Sequence, residues 1–248
     1  MSGHSKWSNI KHKKGKADAA KAKIFTKIGR EIALAVKEGG SDPDINSRLR
    51  DVITKAKTNN MPNDNITRSI KKAAGELGDV NYEEITYEGY APGGVAVILD
   101  AITDNRNRTA GDVRSYFSKC YGALGTTGSV SYMFDRKGVI VVENTASMSE
   151  DDFMMLALDA GAEDVQFNDN YFEIYTAYND VMKVNQALID QGITAESAEV
   201  AMIPQNYVDV ADEEHIKYIN KLIDLLEDCD DVQNVWHNAN LPSDEEEE

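Results

Sequence analysis

The chain has 248 residues, of which 42% are hydrophobic and 28% are charged, and its formal net charge at pH 7 is −17. This composition excludes a disordered chain. It also excludes a disulfide framework, a zinc site and a membrane span, because the two cysteines lack Cys or His companions and every apolar run falls short of about 20 residues.

The first 78 residues are predicted to form a basic helical bundle. Apolar residues recur at helical spacing from Lys16 to Val36. Asp42-Pro43 and Met61-Pro62-Asn63 predict the starts of two further helices, because proline is tolerated in a first helical turn. Three apolar stripes of this kind can bury one another.

Strands appear after Gly78. The segments "EEITYEGY" and "GVAVILDAIT" predict a hairpin, followed by a helix over 108–121 and a strand "SVSYMFD". Residues 136–204 then show the order β-α-β-β-α-β, which is typical of a ferredoxin-like domain. We therefore expect an α+β multidomain protein.

The domain boundaries follow from this order. The strand "NYVDVA", a helix and the strand "VQNVWHN" are too few to fold alone, so they are predicted to complete the sheet of the earlier α+β part. The predicted domains are a basic helical bundle (1–78), an α+β domain (79–135 plus 205–240), an inserted ferredoxin-like domain (136–204) and an acidic tail (241–248).

Positive charge is concentrated at the N-terminus. Residues 1–75 have a net charge of +10, whereas residues 76–248 have −27. Lysines interleaved with rings suit a nucleic-acid backbone and its exposed bases, and the alternative is a solvated helix face. The predicted contacts are Lys6, Trp7, Lys11, His12, Lys13, Lys14, Lys16, Lys23, Lys27 and Arg30. A metal site at His4 and His12 is not expected, because no further ligand accompanies them.

A second candidate is the segment "TDNRNRTAGDVRS" between a strand and a helix. With Thr109 as the predicted N-cap, Arg106 and Arg108 would lie just before a helix N-terminus, which favours an anion. The alternative is that both arginines pair with nearby carboxylates.

The glycine-rich stretches "GYAPGGVAV" and "YGALGTTGSV" precede strands, whereas phosphate-binding loops precede helices, so they are interpreted as turns.

Several of these segments resemble the YebC/PmpR family. They are "GHSKWSNIKHKK", "KAKIFTKIGREI", "NNMPNDNI", "YEGYAPGGVA", "TDNRNRT" and "LGTTGSVSYMF". The resemblance implies three domains, nucleic-acid contact by the basic segment from Lys6 to Arg30 and by the loop from Asn105 to Arg108, and a role as a DNA-binding transcriptional regulator. Some members resemble ribosome-associated translation factors, and the eukaryotic relatives activate mitochondrial translation of a cytochrome oxidase subunit. Tyr121, Ala123 and Ala91 depart from the family pattern, which commonly has Gly, Asn and Gly there.

We therefore expect a cytoplasmic, non-enzymatic regulator of gene expression that binds nucleic acid. DNA is the expected partner, and the alternative is a translation factor that binds ribosomal RNA or tRNA. A phosphate-handling enzyme is disfavoured because no catalytic constellation is evident in the sequence. No cofactor, membrane or small-molecule substrate is expected.

Overall fold

A computed structural model describes residues 19–75, 81–144, 148–168 and 170–242. The predicted contacts Lys6, Trp7, Lys11, His12, Lys13, Lys14 and Lys16 lie outside these ranges, as does most of the acidic tail. The chain forms two compact units. The first contains the described residues up to 131 together with 212–237, and the second contains those from 132 to 211 together with 238–242.

The elements follow in chain order. The helices are α1 (Ala19–Gly39), α2 (Ser47–Thr58), α3 (Asn63–Ala73), α4 (Arg106–Lys119), α5 (Glu150–Asp159), α6 (Val181–Asp190) and α7 (Glu213–Asp228). The strands are β1 (Glu83–Tyr90), β2 (Ala96–Thr103), β3 (Ala123–Leu124), β4 (Phe134–Glu143), β5 (Asp164–Asn168), β6 (Tyr171–Ala177), β7 (Ser197–Pro204), β8 (Val208–Asp209), β9 (Val232–His237) and β10 (Ala239–Asn240). No helix in the described ranges is long and apolar enough to cross a membrane.

Helices α1, α2 and α3 pack around a shared apolar core that includes Ile32, Leu49 and Ile66. The predicted start of α2 at Asp42-Pro43 was wrong, because α2 begins four residues after Pro43. Asn46 explains the difference, since its side chain accepts a hydrogen bond from the Leu49 N–H at 3.0 Å and donates one to the Ala35 carbonyl at 2.8 Å. This cap fixes α2 to α1.

The sheet of the first unit has the strand order β3-β1-β2-β9 and is antiparallel. β2 is buried along almost its whole length, and α1 contacts it. The predicted strand "SVSYMFD" was wrong, because residues 131–133 form a 3₁₀ turn and Phe134 begins β4. β8 does not join this sheet either, because its two residues pair with β10.

In the second unit, the segment from β4 to β7 has the order β-α-β-β-α-β. Its antiparallel sheet has the strand order β5-β6-β4-β7, which is the ferredoxin-like topology. α5 and α6 contribute Phe153 and Leu188 to a core with Ile140 and Phe172 of the sheet, and the rings of Phe153 and Phe172 stack 3.8 Å apart. The α+β fold class is confirmed, and the domain boundaries stay a prediction.

Candidate nucleic-acid interface

The described part of the helical bundle is basic. Residues 19–75 contain twelve Lys and Arg against six Asp and Glu, in a chain whose net charge is −17. A phosphate backbone is attracted only by cations that are not already neutralised by a partner. The partners of each cation therefore decide which part of the bundle can bind.

The three predicted contacts on α1 all have partners at the C-terminal end of α7 or just after it. Lys23 Nζ lies 2.7 Å from Asp228 Oδ1, and Lys27 Nζ donates to the Glu227 carbonyl at 2.9 Å. Arg30 pairs with Asp231. Cations near a helix C-terminus are favourable because they meet the negative end of the helix dipole. These contacts give the three cations a role in packing α1 against the end of α7, whereas their contact with nucleic acid stays a prediction.

Asp231 is the centre of a buried ionic cluster. Its side chain is 6% exposed and bonds Arg30, Arg108 Nη2 at 2.9 Å and the Thr109 hydroxyl at 2.6 Å. Burial by itself raises the pKa of Asp231, but the Thr109 and Arg108 hydrogen bonds and the two positive charges outweigh it and hold the pKa below its ordinary value. The cluster ties α1, α4 and the segment after α7 together.

Arg106 and Arg108 were predicted to lie just before the helix, but they lie in the first turn of α4 and have different surroundings. The predicted N-cap Thr109 was wrong, because Asn105 caps α4 by accepting a hydrogen bond from the Arg108 N–H at 3.1 Å. Arg108 also bonds Asp104 at 2.8 Å, and the two carboxylates raise its pKa. Arg106 is 67% exposed, and its nearest ion pair is a 3.8 Å contact with Glu83. Of the two, Arg106 is therefore the one open to an anion.

The second glycine-rich stretch holds an anion that belongs to the chain itself. The buried carboxylate of Glu88 accepts hydrogen bonds from the backbone N–H groups of Gly128 at 2.7 Å and of Val130 and Ser131 at 2.8 Å each. Burial by itself raises the pKa of Glu88, and these donors outweigh it and hold the pKa below its ordinary value. These N–H groups are therefore satisfied within the protein.

Sequence reasoning missed the exposed cations of α2 and α3. Lys57, Arg68, Lys71 and Lys72 are exposed and form no ion pair within the described ranges. The three on α3 share its outer face, because positions i, i+3 and i+4 lie close together on a helix. That spacing, opposite the buried Ile66, is the signal that could have identified them.

Arg68 also lines a shallow groove between α1 and α3. The groove measures about 260 Å³, and Phe25, Met61, Asn65 and Ser69 are among its other walls. Elsewhere, no group of three or more His, Cys, Asp or Glu side chains in the described residues could hold a metal ion. The arrangement of exposed cations can therefore attract an anionic polymer.

Comparisons with known proteins cover nearly the whole chain. The model for the TACO1/YebC protein N-terminal domain matches residues 5–76, and that for the TACO1/YebC second and third domain matches residues 82–239. The chain is 63% identical over 238 residues to a "Probable transcriptional regulatory protein" of Acetivibrio thermocellus, covering 96% of this chain and 98% of the relative. It is 58% identical to a protein of the same name from Ruminiclostridium cellulolyticum over the full length of both.

A solved structure supports the fold. The crystal structure of a conserved hypothetical protein from Aquifex aeolicus matches with a TM-score of 0.84 at 45% identity, covering 94% of this chain and 96% of that one. The family resemblance carried by the sequence motifs is thereby confirmed.

Proposed function

Because the chain belongs to the TACO1/YebC family, we propose that it is a non-enzymatic, cytoplasmic regulator of gene expression that binds DNA. Relatives at 52–63% identity carry the name "Probable transcriptional regulatory protein". The name is theirs, and the charge distribution of this chain is consistent with the same role.

The observation that carries the proposal is the positive face of α3, whose cations form no ion pair with a described residue. Arg68, Lys71 and Lys72 extend into solvent from a helix whose opposite side is anchored in the bundle core by Ile66. We propose that the α3 face and the basic segment at residues 1–16 contact the nucleic-acid backbone together.

The paired cations have a different task in this proposal. Arg30 and Arg108 hold Asp231, so they fix α1 and α4 on the sheet and are not free for phosphate. The remainder of the chain, with its net charge of −27 beyond residue 75, repels a polyanion. Duplex binding is therefore concentrated at the basic end, with Arg106 as an additional contact.

Salt titration tests the proposal. With roughly six phosphate contacts, the slope of log K against log salt should be about −5 on duplex DNA and about −4 on a single strand. Deleting residues 1–15 should reduce the magnitude of that slope by about 2–3, nearly uniformly across sequences. Lys71→Gln with Lys72→Gln should reduce it by about 1.8 on duplex DNA.

Matched controls and partners complete the experiment. The double variant Arg114→Gln with Lys183→Gln removes two equally exposed charges outside the bundle and should leave the slope unchanged. A sequence-dependent preference for promoter duplexes supports DNA regulation, whereas binding confined to ribosomes or structured RNA supports the translation factor instead. A flat salt response on every nucleic acid would refute the proposal.

A further inference from the structure

Two tyrosines and two lysines lie together at the surface beyond the C-terminal end of α4, and a third lysine, Lys119, lies at that end with its Nζ 6.0 Å from the centroid of the Tyr116 ring. The ring of Tyr121, just after α4, meets that of Tyr218 on α7 edge to face, with centroids 4.6 Å apart and planes at 75°. Lys217 Nζ and Lys221 Nζ each lie 6.0 Å from the centroid of the Tyr218 ring. Lys119 ends α4, two residues before Tyr121.

The surface is open to solvent. Tyr121 is 73% exposed. All three lysines are exposed, and none forms an ion pair with a residue in the described ranges. They make up a third of the nine Lys and Arg that follow residue 75, in the most acidic part of the sequence.

The backbone at Tyr121 is strained. Its φ of 56° lies in the left-handed region, and it follows α4 at the position where helices commonly place glycine. The chain turns there through the hydrogen bond from Gly122 N–H to the Phe117 carbonyl at 2.9 Å. Apart from the edge-to-face contact with Tyr218, most of the Tyr121 ring is in solvent. A left-handed backbone that holds a largely exposed ring suggests a binding role.

The neighbouring glycine has a separate requirement. A Cβ at Gly122 would lie 2.6 Å from the Tyr90 carbonyl oxygen, so residue 122 must be glycine for space. Residue 121 has no such steric demand, because its side chain is largely in solvent. The side chain at 121 is therefore an addition to the turn and not a part of what forms it.

We propose that Tyr121 and Tyr218, with Lys119, Lys217 and Lys221, form a stacking platform for single-stranded nucleic acid. Tyrosine rings stack on any unpaired base, and flanking lysines neutralise the phosphates between successive bases. A duplex is disfavoured because its base faces are already stacked on one another. The platform goes beyond the proposed function, since it adds a second site that shares no residue with the α3 face.

Nearby acids determine how this site would bind. Glu214 lies three residues before Lys217 on α7, and Asp224 lies three residues after Lys221. These carboxylates reduce the net positive potential, so the rings supply most of the affinity and the lysines supply orientation. The platform should therefore be less sensitive to salt than the α3 face.

Replacing Tyr121 separates binding from stability. We expect Tyr121→Gly to weaken binding of a fluorescein-labelled 15-nucleotide oligo(dT) about tenfold, as the loss of one stacked base predicts, and to change binding of a 15-base-pair duplex less than twofold. The melting temperature should stay within about 3 °C or rise, because glycine relieves the left-handed strain. Tyr121→Phe should bind like the wild type, since it keeps the ring.

Matched variants complete the test. Tyr132→Ala removes another exposed tyrosine, with 69% of its surface in solvent, and should not alter binding. Lys217→Gln with Lys221→Gln should reduce the salt slope on oligo(dT) by at most about 1.4, whereas Arg114→Gln with Lys183→Gln should leave it unchanged.

Each contrary outcome has a distinct meaning. If Tyr121→Gly binds oligo(dT) as the wild type does, or melts more than about 5 °C lower, Tyr121 is a structural residue and the platform is refuted. In that event the α3 variants would still bind less tightly if the proposed function holds. If the wild-type protein binds neither oligo(dT) nor duplex DNA, the proposed function fails together with the platform.

Discussion

Asp231→Asn is expected to destabilise the first unit selectively. The substitution keeps the size of the side chain and a hydrogen-bond acceptor for Thr109, but it removes the charge that faces Arg30 and Arg108. Removing one partner of a buried ion pair costs about 3–5 kcal/mol. Because Arg108 is half-exposed and can be solvated, we expect a somewhat smaller loss, about 2–4 kcal/mol.

Calorimetry and urea unfolding measure this loss. About 3 kcal/mol corresponds to a fall of roughly 6–12 °C in the melting temperature of a domain of this size. The melting of the ferredoxin-like part should not change, so the excised second unit serves as a reference for assigning the two transitions. Arg30→Gln combined with Asp231→Asn should cost less than the sum of the single variants, because the two residues share one interaction.

The pH dependence provides an independent check. The pKa of Asp231 is lower in the folded state than in the unfolded state, so its contribution to stability is full above the unfolded value, about 3.9. The contribution is lost as the pH falls from there through the folded pKa. Asp231→Asn should therefore be less stable than the wild type at pH 7 and lose less stability on acidification. Equal stability at neutral pH, or parallel acid profiles, would show that the cluster contributes nothing and that its two arginines are available for nucleic acid.

Three further predictions concern single features of the fold. Arg108→Ala should lower the melting temperature of the first unit by several degrees, whereas Arg106→Ala should change it by no more than about 2 °C. The reason is that only Arg108 bonds the buried Asp231, so equal effects of the two variants would contradict this pairing. Glu88→Gln should lower the free energy of urea unfolding by about 2 kcal/mol, since it removes the charge from three charge-assisted hydrogen bonds. The variant should also lose less stability than the wild type as the pH falls from about 4.5 through the lower folded pKa of Glu88. An unchanged dependence of stability on pH would argue against this role. Residues 134–204 should fold alone with cooperative melting by circular dichroism, because the four-stranded sheet and its two helices enclose their own core, and a molten spectrum would count against an inserted domain.

Periodic patterns predicted most of the regular structure. The strict order of strands and helices after Gly138 identified the ferredoxin-like topology, because each element there has its own apolar face and a clear turn on either side. The helix at Asn63 was located by its proline, which fits the first turn. The sequence was sufficient to predict a helix or strand where the residues of that segment alone determine its conformation.

Predictions were wrong where two segments decide the outcome together. Asn46 caps α2 because its amide also reaches Ala35, eleven residues earlier, and no local pattern shows that contact. Asn105 caps α4 in place of Thr109, because the Thr109 hydroxyl donates its hydrogen bond to Asp231, more than a hundred residues away. β8 failed to join the first sheet because β10 lies alongside it.

The same limit applies to reading a binding surface from charge alone. A helical wheel selected Lys23, Lys27 and Arg30, but it could not show that the acidic end of α7 neutralises them. Net charge counts every cation equally, whereas phosphate responds to those without a partner. In the described part of this chain the paired cations stabilise the fold, and we propose that the cations without an ion pair on α3 and around Tyr218 bind nucleic acid. The two proposed surfaces differ in character, since the first is dominated by charge and sensitive to salt, whereas the second is dominated by rings and less sensitive. Comparing salt slopes on duplex and single-stranded DNA would therefore distinguish them within a single protein.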